Sequence, residues 1–494
     1  MRQPALPLFP RIEAEAEATP PPARDALRCG DQTLDYTGLA TACALFRRAL
    51  AEFFIGRNDR IAVWAHQDLN TMLTLIGAVA AGVTTVPLNP GLGEKELAHI
   101  LNDAKPRAIF SAFPEQDAKR TPHIPVRGFL TPQRSLVTAR IGETRRPDEP
   151  LLVLYTSGTT GAPKGAVLSA RNLSACLDGL QDAWALREST TIVHALPLFH
   201  AHGLVFGLFG AMRVGACLEL VPKFTPEAVA AALQGDDRVL YAVPTMYRRL
   251  IDAAERDAAV RTGLASARLL VSGSAALPAR EHARIEAVTG QRVCERYGLS
   301  ETLVNSAVRH DGERRAGYVG VPLHEVEIKL VDDERATIEA HDDATIGEIA
   351  VRGPNVFVGY LNRPESTLAV LDAEGWFHTG DLGTLAPDGY LRIVGRKATD
   401  LIKTGGFKVG AGEVEAALLE HPGVSEVAVI GAPDEDLGER IVAYVVSREP
   451  LGAQVLIDHV ANLLAKHKRP REVRFVSELP RNALGKVLKK QLTP

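Results

Sequence analysis

Cysteine is scarce in this chain. Its 494 residues hold five, Cys29, Cys43, Cys176, Cys217 and Cys294, an odd total with no Cys-x-x-Cys spacing. That excludes a disulfide framework and a cysteine-ligated zinc site, and it fits a reducing compartment, read here as the cytoplasm. Charge of one sign is also missing: 56 Lys and Arg stand against 60 Asp and Glu, a formal net charge of −4. No nucleic acid is therefore expected as a partner, since such binders carry a strongly basic surface. Long apolar runs are few. The longest, Met72–Leu88, is broken by two Gly and a Pro, and it reads as a buried helix followed by a buried strand rather than a membrane span. The opening MRQPALPLFPRIEAEAE has no apolar core of signal-peptide type and turns acidic at once, so neither export nor a membrane anchor is expected. Residues 1–30, rich in Pro and Ala, are read as only partly ordered.

What the chain does have is alternation. Short apolar strands at Ile61–His66, Thr84–Leu88 and Ala108–Ala112 are separated by helical patterns over Leu69–Ala81 and Lys95–Ala104. This order predicts parallel sheets with helices on their faces. The polar stretch 113–149 reads as a surface excursion, and LLVLY at Leu151–Tyr155 as a central parallel strand. The alternation resumes from 190 to 330. A Gly-punctuated, more antiparallel region follows, with strands at Gly347–Gly353 and Gly389–Gly395. After Arg396 the chain restarts as a small unit of helices and strands. At this length more than one core is expected. The fold class is α/β: a large N-terminal domain of layered sheets and helices over 1–395, a hinge at 396–399, and a small mobile α+β domain over 400–494.

Directly after LLVLY come Thr156, Ser157, Gly158, Thr159, Thr160 and Gly161, then Ala162-Pro163-Lys164-Gly165. Small residues free backbone N–H groups to face an anion, hydroxyls add donors, and Lys164 brings a mobile positive charge. A Walker A pattern cannot be laid on it. Ser272-Gly273-Ser274-Ala275 follows another apolar strand and can present backbone to a flat base, or simply turn the chain. In Tyr297-Gly298-Leu299-Ser300-Glu301 an aromatic can stack, a hydroxyl can reach a phosphate and a carboxylate can hold Mg²⁺. Asp381, closing WFHTGD, can accept both ribose hydroxyls or close an Asx turn. His200 and His202 in LFHAHG have no third metal ligand nearby and read as a pocket wall.

Together TSGTTGAPKG, YGLSET, WFHTGD, GRKATDLIKTGG and PRNALGKVLKK, in this order, resemble the adenylate-forming superfamily of acyl-CoA synthetases, luciferases and adenylation domains. The likeness runs from about residue 30 to 494. LFHAHG, VPTMYRRL, IKTGGFKVGAGEVE and HKRPREV resemble more narrowly the malonyl-CoA synthetases. The resemblance implies a cytoplasmic acid–thiol ligase of fatty acid metabolism. Its substrates would be ATP with Mg²⁺, a small carboxylate and coenzyme A, joined through an acyl-adenylate, with AMP and pyrophosphate released. It implies Lys486 as the lysine of the first step, with Lys164 and Glu301 beside it. The Ser272–Ala275 backbone and Tyr297 would flank the adenine, Asp381 and Arg396 would hold the ribose, and Ser300 would reach a phosphate. Glu295, Arg296, Gly298 and Lys403 join the same nucleotide and cofactor set, and Gly405 and Gly406 would border the pantetheine tunnel. Basic Lys466–Arg474 would face either the CoA phosphates or solvent. Two departures stand out: Ser300 where threonine is commoner, and three residues rather than two between Arg396 and Asp400, which leaves the hinge among Lys397, Ala398 and Thr399.

A malonate-type substrate keeps one carboxylate through the reaction, and burying it unpaired would cost several kcal/mol. The resemblance makes Arg249 the cation for it, with His200 and His202 beside the acid. Methylmalonate is the natural second substrate. The rivals are a ligase for neutral short- or medium-chain acids, a stand-alone enzyme loading a carrier protein, a luciferase-like oxygenase, and a non-catalytic nucleotide binder. The simultaneous presence of Lys164, Glu301, Asp381 and Lys486 speaks against the last. The sequence names no protein partner.

Overall fold

The computed structural model describes residues 8–17, 24–111, 123–125, 147–156, 163–397, 400–481 and 487–492. Among them, apolar strands collect into three sheets before residue 397 and one after residue 400. The widest sheet runs Val321–Pro322, Leu303–Ala307, Cys294–Leu299, Leu269–Ser272, Arg238–Ala242, Thr191–His194, Cys217–Leu220, Asp25–Cys29, Gln32–Asp35. Its inner strands are parallel and its edges antiparallel. Covered on both faces, the inner strands are continuously buried, as in Leu269–Ser272, which is why their sequences do not alternate.

The second sheet runs Gly359–Tyr360, Lys164–Ser169, Pro150–Thr156, Thr84–Leu88, Arg60–Trp64, Ala108–Ser111, His123–Pro125. Pro150–Thr156, expected as a central parallel strand, is parallel to Thr84–Leu88 but antiparallel to Lys164–Ser169. Thr156 and Lys164 therefore face each other at the mouth of a hairpin whose tip, 157–162, lies outside the described residues. Helix Leu69–Ala80 is capped by Asp68, which accepts the Thr71 N–H at 3.0 Å. The third sheet is antiparallel throughout, and its register sets Asp381 opposite Arg396.

Beyond Arg396 the chain has a core of its own, built from Ile402, Val409, Val414, Leu418, Val429, Ile441, Val445, Leu456 and Val460. A five-stranded sheet of Phe407–Gly410, Leu401–Thr404, Gly438–Ser447, Val424–Asp434 and Glu472–Phe475 backs it. The architecture is thus the expected large α/β domain followed by a smaller one.

Two local elements add to the sequence reading. The N-terminal stretch read as partly ordered contains helix Pro10–Glu17. It docks through buried Phe9 and Ile12, with the Phe9 ring 5.4 Å from Phe209. Two apolar residues three apart anchor it, too few to show as a periodic pattern. Within 113–149, His123–Pro125 forms an edge strand on Ala108–Ser111, while 113–122 and 126–146 lie outside the described residues. No helix among the described residues is long and apolar enough to cross a membrane.

Candidate active site

The hairpin of Pro150–Thr156 and Lys164–Ser169 meets the Tyr297–Glu301 turn through one tyrosine. Lys164 Nζ lies 5.0 Å from the ring centroid of Tyr360, and the Tyr360 hydroxyl donates to Glu301 Oε1 at 2.7 Å. Burial, and then the Glu301 carboxylate, push the Tyr360 phenol up, so it remains a donor. Glu301 is itself buried. A lone carboxylate beside a phosphate loop suits Mg²⁺, which keeps most of its waters and binds through one or two carboxylates and substrate phosphates. Gly298 is required by packing: a Cβ there would collide with the Leu303 carbonyl across the turn. Ser300 sits in that turn, partly exposed.

A second group forms around Asp381. Its Oδ2 accepts the Tyr297 hydroxyl at 2.6 Å and its Oδ1 pairs with Arg396 Nε at 2.6 Å. Burial raises the Tyr297 phenol well above its ordinary value, and the adjacent Asp381 charge adds to it. Carboxylate oxygens have lone pairs to spare beyond these bonds, so the pair can still take ribose hydroxyls. Ser274, on the loop expected to face a base, has φ +74°, a left-handed conformation that strains a non-glycine residue.

The third group lies on strand Cys294–Leu299. Glu295, expected in the nucleotide set, is buried, and its side chain bonds His282 Nε2 at 2.9 Å and accepts the Leu277 N–H at 3.1 Å. Arg296, expected beside it, is buried and has no carboxylate partner among the described residues. One of its terminal nitrogens donates to Ser274 Oγ at 3.3 Å, its guanidinium lies 5.1 Å from the Phe206 ring centroid, and its Nε is unbonded. A Cβ at Gly273 would run into that Nε, so glycine makes room for the charge. Burial lowers the Arg296 pKa to about 10.

Facing Arg296 is His202, the first residue of a π-helix, His202–Phe209, a form that concentrates at functional sites. His202 is buried, neither ring nitrogen has a partner, and burial followed by the Arg296 charge holds it well below the usual histidine range. It is neutral. The Tyr241 ring lies 6.0 Å from His202, and its buried hydroxyl is also unbonded. Sequence reasoning missed Tyr241, whose signal was a phenol inside an otherwise apolar buried strand. His200 is partly buried against Phe199, their rings 4.5 Å apart. These three buried polar side chains have hydrogen bonds left unmade among the described residues, and a polar ligand reaching them would supply partners. Arg249 is exposed, its guanidinium 4.7 Å from the Phe224 ring centroid.

In the small domain, Gly405 and Gly406 have φ +57° and +81° and form the two-residue turn between paired Thr404 and Phe407. Both angles lie in the left-handed region that favours glycine, whatever passes nearby. Lys403 is exposed. Of the basic stretch, Lys468 is taken by Glu413 at 2.6 Å and Arg474 by Glu472 at 2.5 Å. Ser157, Gly158, Thr159, Thr160, Gly161 and Lys486 lie outside the described residues, as do Ala398 and Thr399.

Residues 13–361 match the family model for AMP-binding enzymes, and 413–486 match that for the AMP-binding enzyme C-terminal domain. The chain belongs to the AMP-binding enzyme family. It is 33% identical to the mitochondrial malonate–CoA ligase of Homo sapiens over 483 residues, 88% of this chain and 83% of that one. Among solved structures it is similar to a malonyl-CoA ligase ternary product complex with methylmalonyl-CoA and AMP (47% identity, 96% of this chain and 100% of that one, TM-score 0.70). It is also similar to ATP-bound MatB from Rhodopseudomonas palustris (31% identity, 98% and 97%, TM-score 0.86). With these relatives it is an AMP-forming acid–thiol ligase of the malonate–CoA ligase type, using ATP to join a small carboxylate to coenzyme A through an acyl-adenylate. The cytoplasmic expectation does not stand, because the vertebrate malonate–CoA ligases similar to this chain are mitochondrial by name. The five cysteines, all free and buried, argue only for reducing surroundings, which more than one compartment offers.

The lowered pKa of Arg296 gives a test with a definite sign. A carboxylate held by this guanidinium needs its charged form, which is complete well below about pH 10 and lost above it. The KM of a dicarboxylate substrate should stay level through mildly alkaline pH and climb as pH passes about 10, while that of a monocarboxylate should not follow.

Proposed function

We propose that the acid is malonate, with methylmalonate accepted beside it, and that Arg296 rather than Arg249 reads the carboxylate that does not react. What carries this is the buried Arg296 guanidinium without a carboxylate partner, set against neutral His202 and Tyr241. A lone buried charge is costly, and so is the substrate's spectator carboxylate; placed together in a guanidinium–carboxylate fork, each offsets the other. A neutral acid would leave Arg296 uncompensated. The names of the relatives, malonate–CoA ligase and a complex with methylmalonyl-CoA, support the same acids.

In this account Tyr297, Asp381 and Arg396 hold the ribose, while Lys164 and the hairpin hold the outer phosphates. The reacting carboxylate of the acid attacks the α-phosphorus, pyrophosphate leaves, and the thiol of coenzyme A then displaces AMP from the acyl carbon. Two anions must approach each other in the first step, so positive charge along the line of attack lowers the barrier; Lys486 is proposed to supply it. Glu301 would hold Mg²⁺, which neutralises phosphate charge.

We also infer that the large domain ends at 395 and that the pivot lies within 396–399. Lys397 is tied to the large domain through Glu348 at 2.9 Å, and Asp400 to the small one through Lys489 at 2.7 Å, which leaves the link between them to absorb a rotation. Supporting such a rotation, the ATP-bound relative fits this chain better in shape than the CoA product complex, although it is less alike in sequence.

Replacing Arg296 with Met should lower kcat/KM for malonate by at least about 100-fold, since removing one partner of a buried pair costs about 3–5 kcal/mol. The same change should spare or improve butyrate. Arg249→Ala, at the exposed position, should change both acids by less than about tenfold; a malonate-specific collapse in Arg249→Ala with Arg296→Met unaffected would return the role to Arg249. For the chemistry, Lys486→Ala should abolish adenylate formation yet leave thioester formation from prepared acyl-AMP. Equal loss of both half-reactions would contradict its role.

A further inference from the structure

Helix Glu94–Ala104 carries none of the nucleotide motifs, yet one of its faces holds both arms of the hairpin that bears Lys164. His99 and Asp103 lie four residues apart and so share that face. His99 Nε2 bonds the Pro163 carbonyl at 2.8 Å, one residue before Lys164 on the returning arm. A carbonyl only accepts, so Nε2 carries the proton. Asp103 Oδ2 accepts the Tyr155 hydroxyl at 2.8 Å, one residue before Thr156 on the outgoing arm. Burial, and then Asp103 itself, push the Tyr155 phenol up, so it remains a donor. Thr156 and Lys164 are the facing pair at the open end of the hairpin, and each is tethered through its neighbour to the same helix.

The far side of the stem is closed as well. The Leu361 N–H donates to the Gly165 carbonyl at 2.8 Å, and Asn362 Nδ2 donates to the Asp103 carbonyl at 2.9 Å and to Asp103 Oδ1 at 3.2 Å. Asp103, Tyr155, Gly165 and Asn362 thus form a closed circuit of contacts around the stem. Glycine is needed inside it, because a Cβ at Gly165 would lie 2.8 Å from Val153 Cγ1 and 3.1 Å from Tyr155 Cζ. We propose that His99 is a positioning residue for the first half-reaction: its bond to Pro163 fixes the arm from which Lys164 reaches the outer phosphates of ATP, with the Asp103–Tyr155 bond as the second anchor. The proposal rests on the reading of this hairpin as the phosphate holder. Donors that must meet phosphate oxygens lose their effect when displaced by about an ångström, so their supports matter as well as the donors. The outer phosphates leave as pyrophosphate, so the second half-reaction makes no use of the contact.

His99→Phe keeps a ring and removes the donor, whereas His99→Gln restores an amide N–H near the place of Nε2. In the full chain, ATP–pyrophosphate exchange should show the KM of ATP raised at least about fivefold by His99→Phe and brought back to within about twofold of the parent by His99→Gln. Thioester formation from prepared acyl-AMP should be unchanged in both. Tyr155→Phe, which frees the other arm, should raise the KM of ATP in the same direction. An unchanged KM of ATP in His99→Phe overturns the proposal whatever Tyr155→Phe does, and so does equal loss of both half-reactions, the mark of a merely structural residue. Lys164→Ala separates the two levels. If it raises the KM of ATP and His99→Phe does not, the positioning role fails and the phosphate reading stands; if Lys164→Ala leaves the KM of ATP unchanged, both fail.

Discussion

A guanidinium buried without a carboxylate is the constraint on which the proposed acid site turns. Arg296 stands on an inner strand of the widest sheet, and the fold makes room for it with Gly273, an aromatic face at Phe206 and one bond to Ser274. None of these neutralises it. His202 cannot help, because its burial beside a positive charge keeps it neutral. Such a site is held ready for an anion: the interactions that would compensate Arg296 are left for the substrate to supply. The same lack of compensation discriminates, since an acid without a second carboxylate gains nothing from entering.

The nucleotide side is built on a different rule, a chain of satisfied contacts that leads to the joint between the domains. Tyr297 bonds Asp381, Asp381 pairs with Arg396, and the Arg396 N–H bonds Asp400 at 2.9 Å. Asp400 in turn pairs with Lys489, which also meets Glu415 at 2.6 Å. Ribose contacts, linker and C-terminal segment are therefore mechanically continuous. The Asp381–Arg396 pair joins the proposed ribose site to the first residue of the proposed hinge, a physical route by which nucleotide occupancy can bias domain orientation. Lys164, Tyr360 and Glu301 make a parallel link between the phosphate hairpin and the turn after Tyr297.

The family and the two-domain fold were legible in the sequence because the motifs that mark them are local. A run of small residues after a buried strand, a glycine beside an aromatic and an aspartate closing a strand are all visible without coordinates. The acid pocket was not legible in that way, since it is assembled from three distant segments. Arg296 was expected in the nucleotide set together with Tyr297, yet neighbours in a strand point to opposite faces. A usable signal was present: Glu295 and Arg296 are consecutive charges in a strand buried on both sides, so neither can reach water and each needs a partner or a ligand. Glu295 finds His282 and Arg296 finds none. Arg249 was favoured for its motif, but its position on helix Pro244–Ala254 turns it outward. Gly405 and Gly406 were read for what passes beside them, and their positive φ angles favour glycine independently of that reading.

The central claim is that a buried, unpaired arginine selects a dianionic acid. It is tested most directly by measuring AMP and acyl-CoA formation with ATP, Mg²⁺ and coenzyme A across acetate, butyrate, malonate, methylmalonate and succinate. The account predicts a sharp preference for malonate, or for malonate with methylmalonate, and little turnover of the monocarboxylates. Turnover of butyrate or acetate equal to or above that of malonate would leave the ligase chemistry intact and contradict the role given to Arg296.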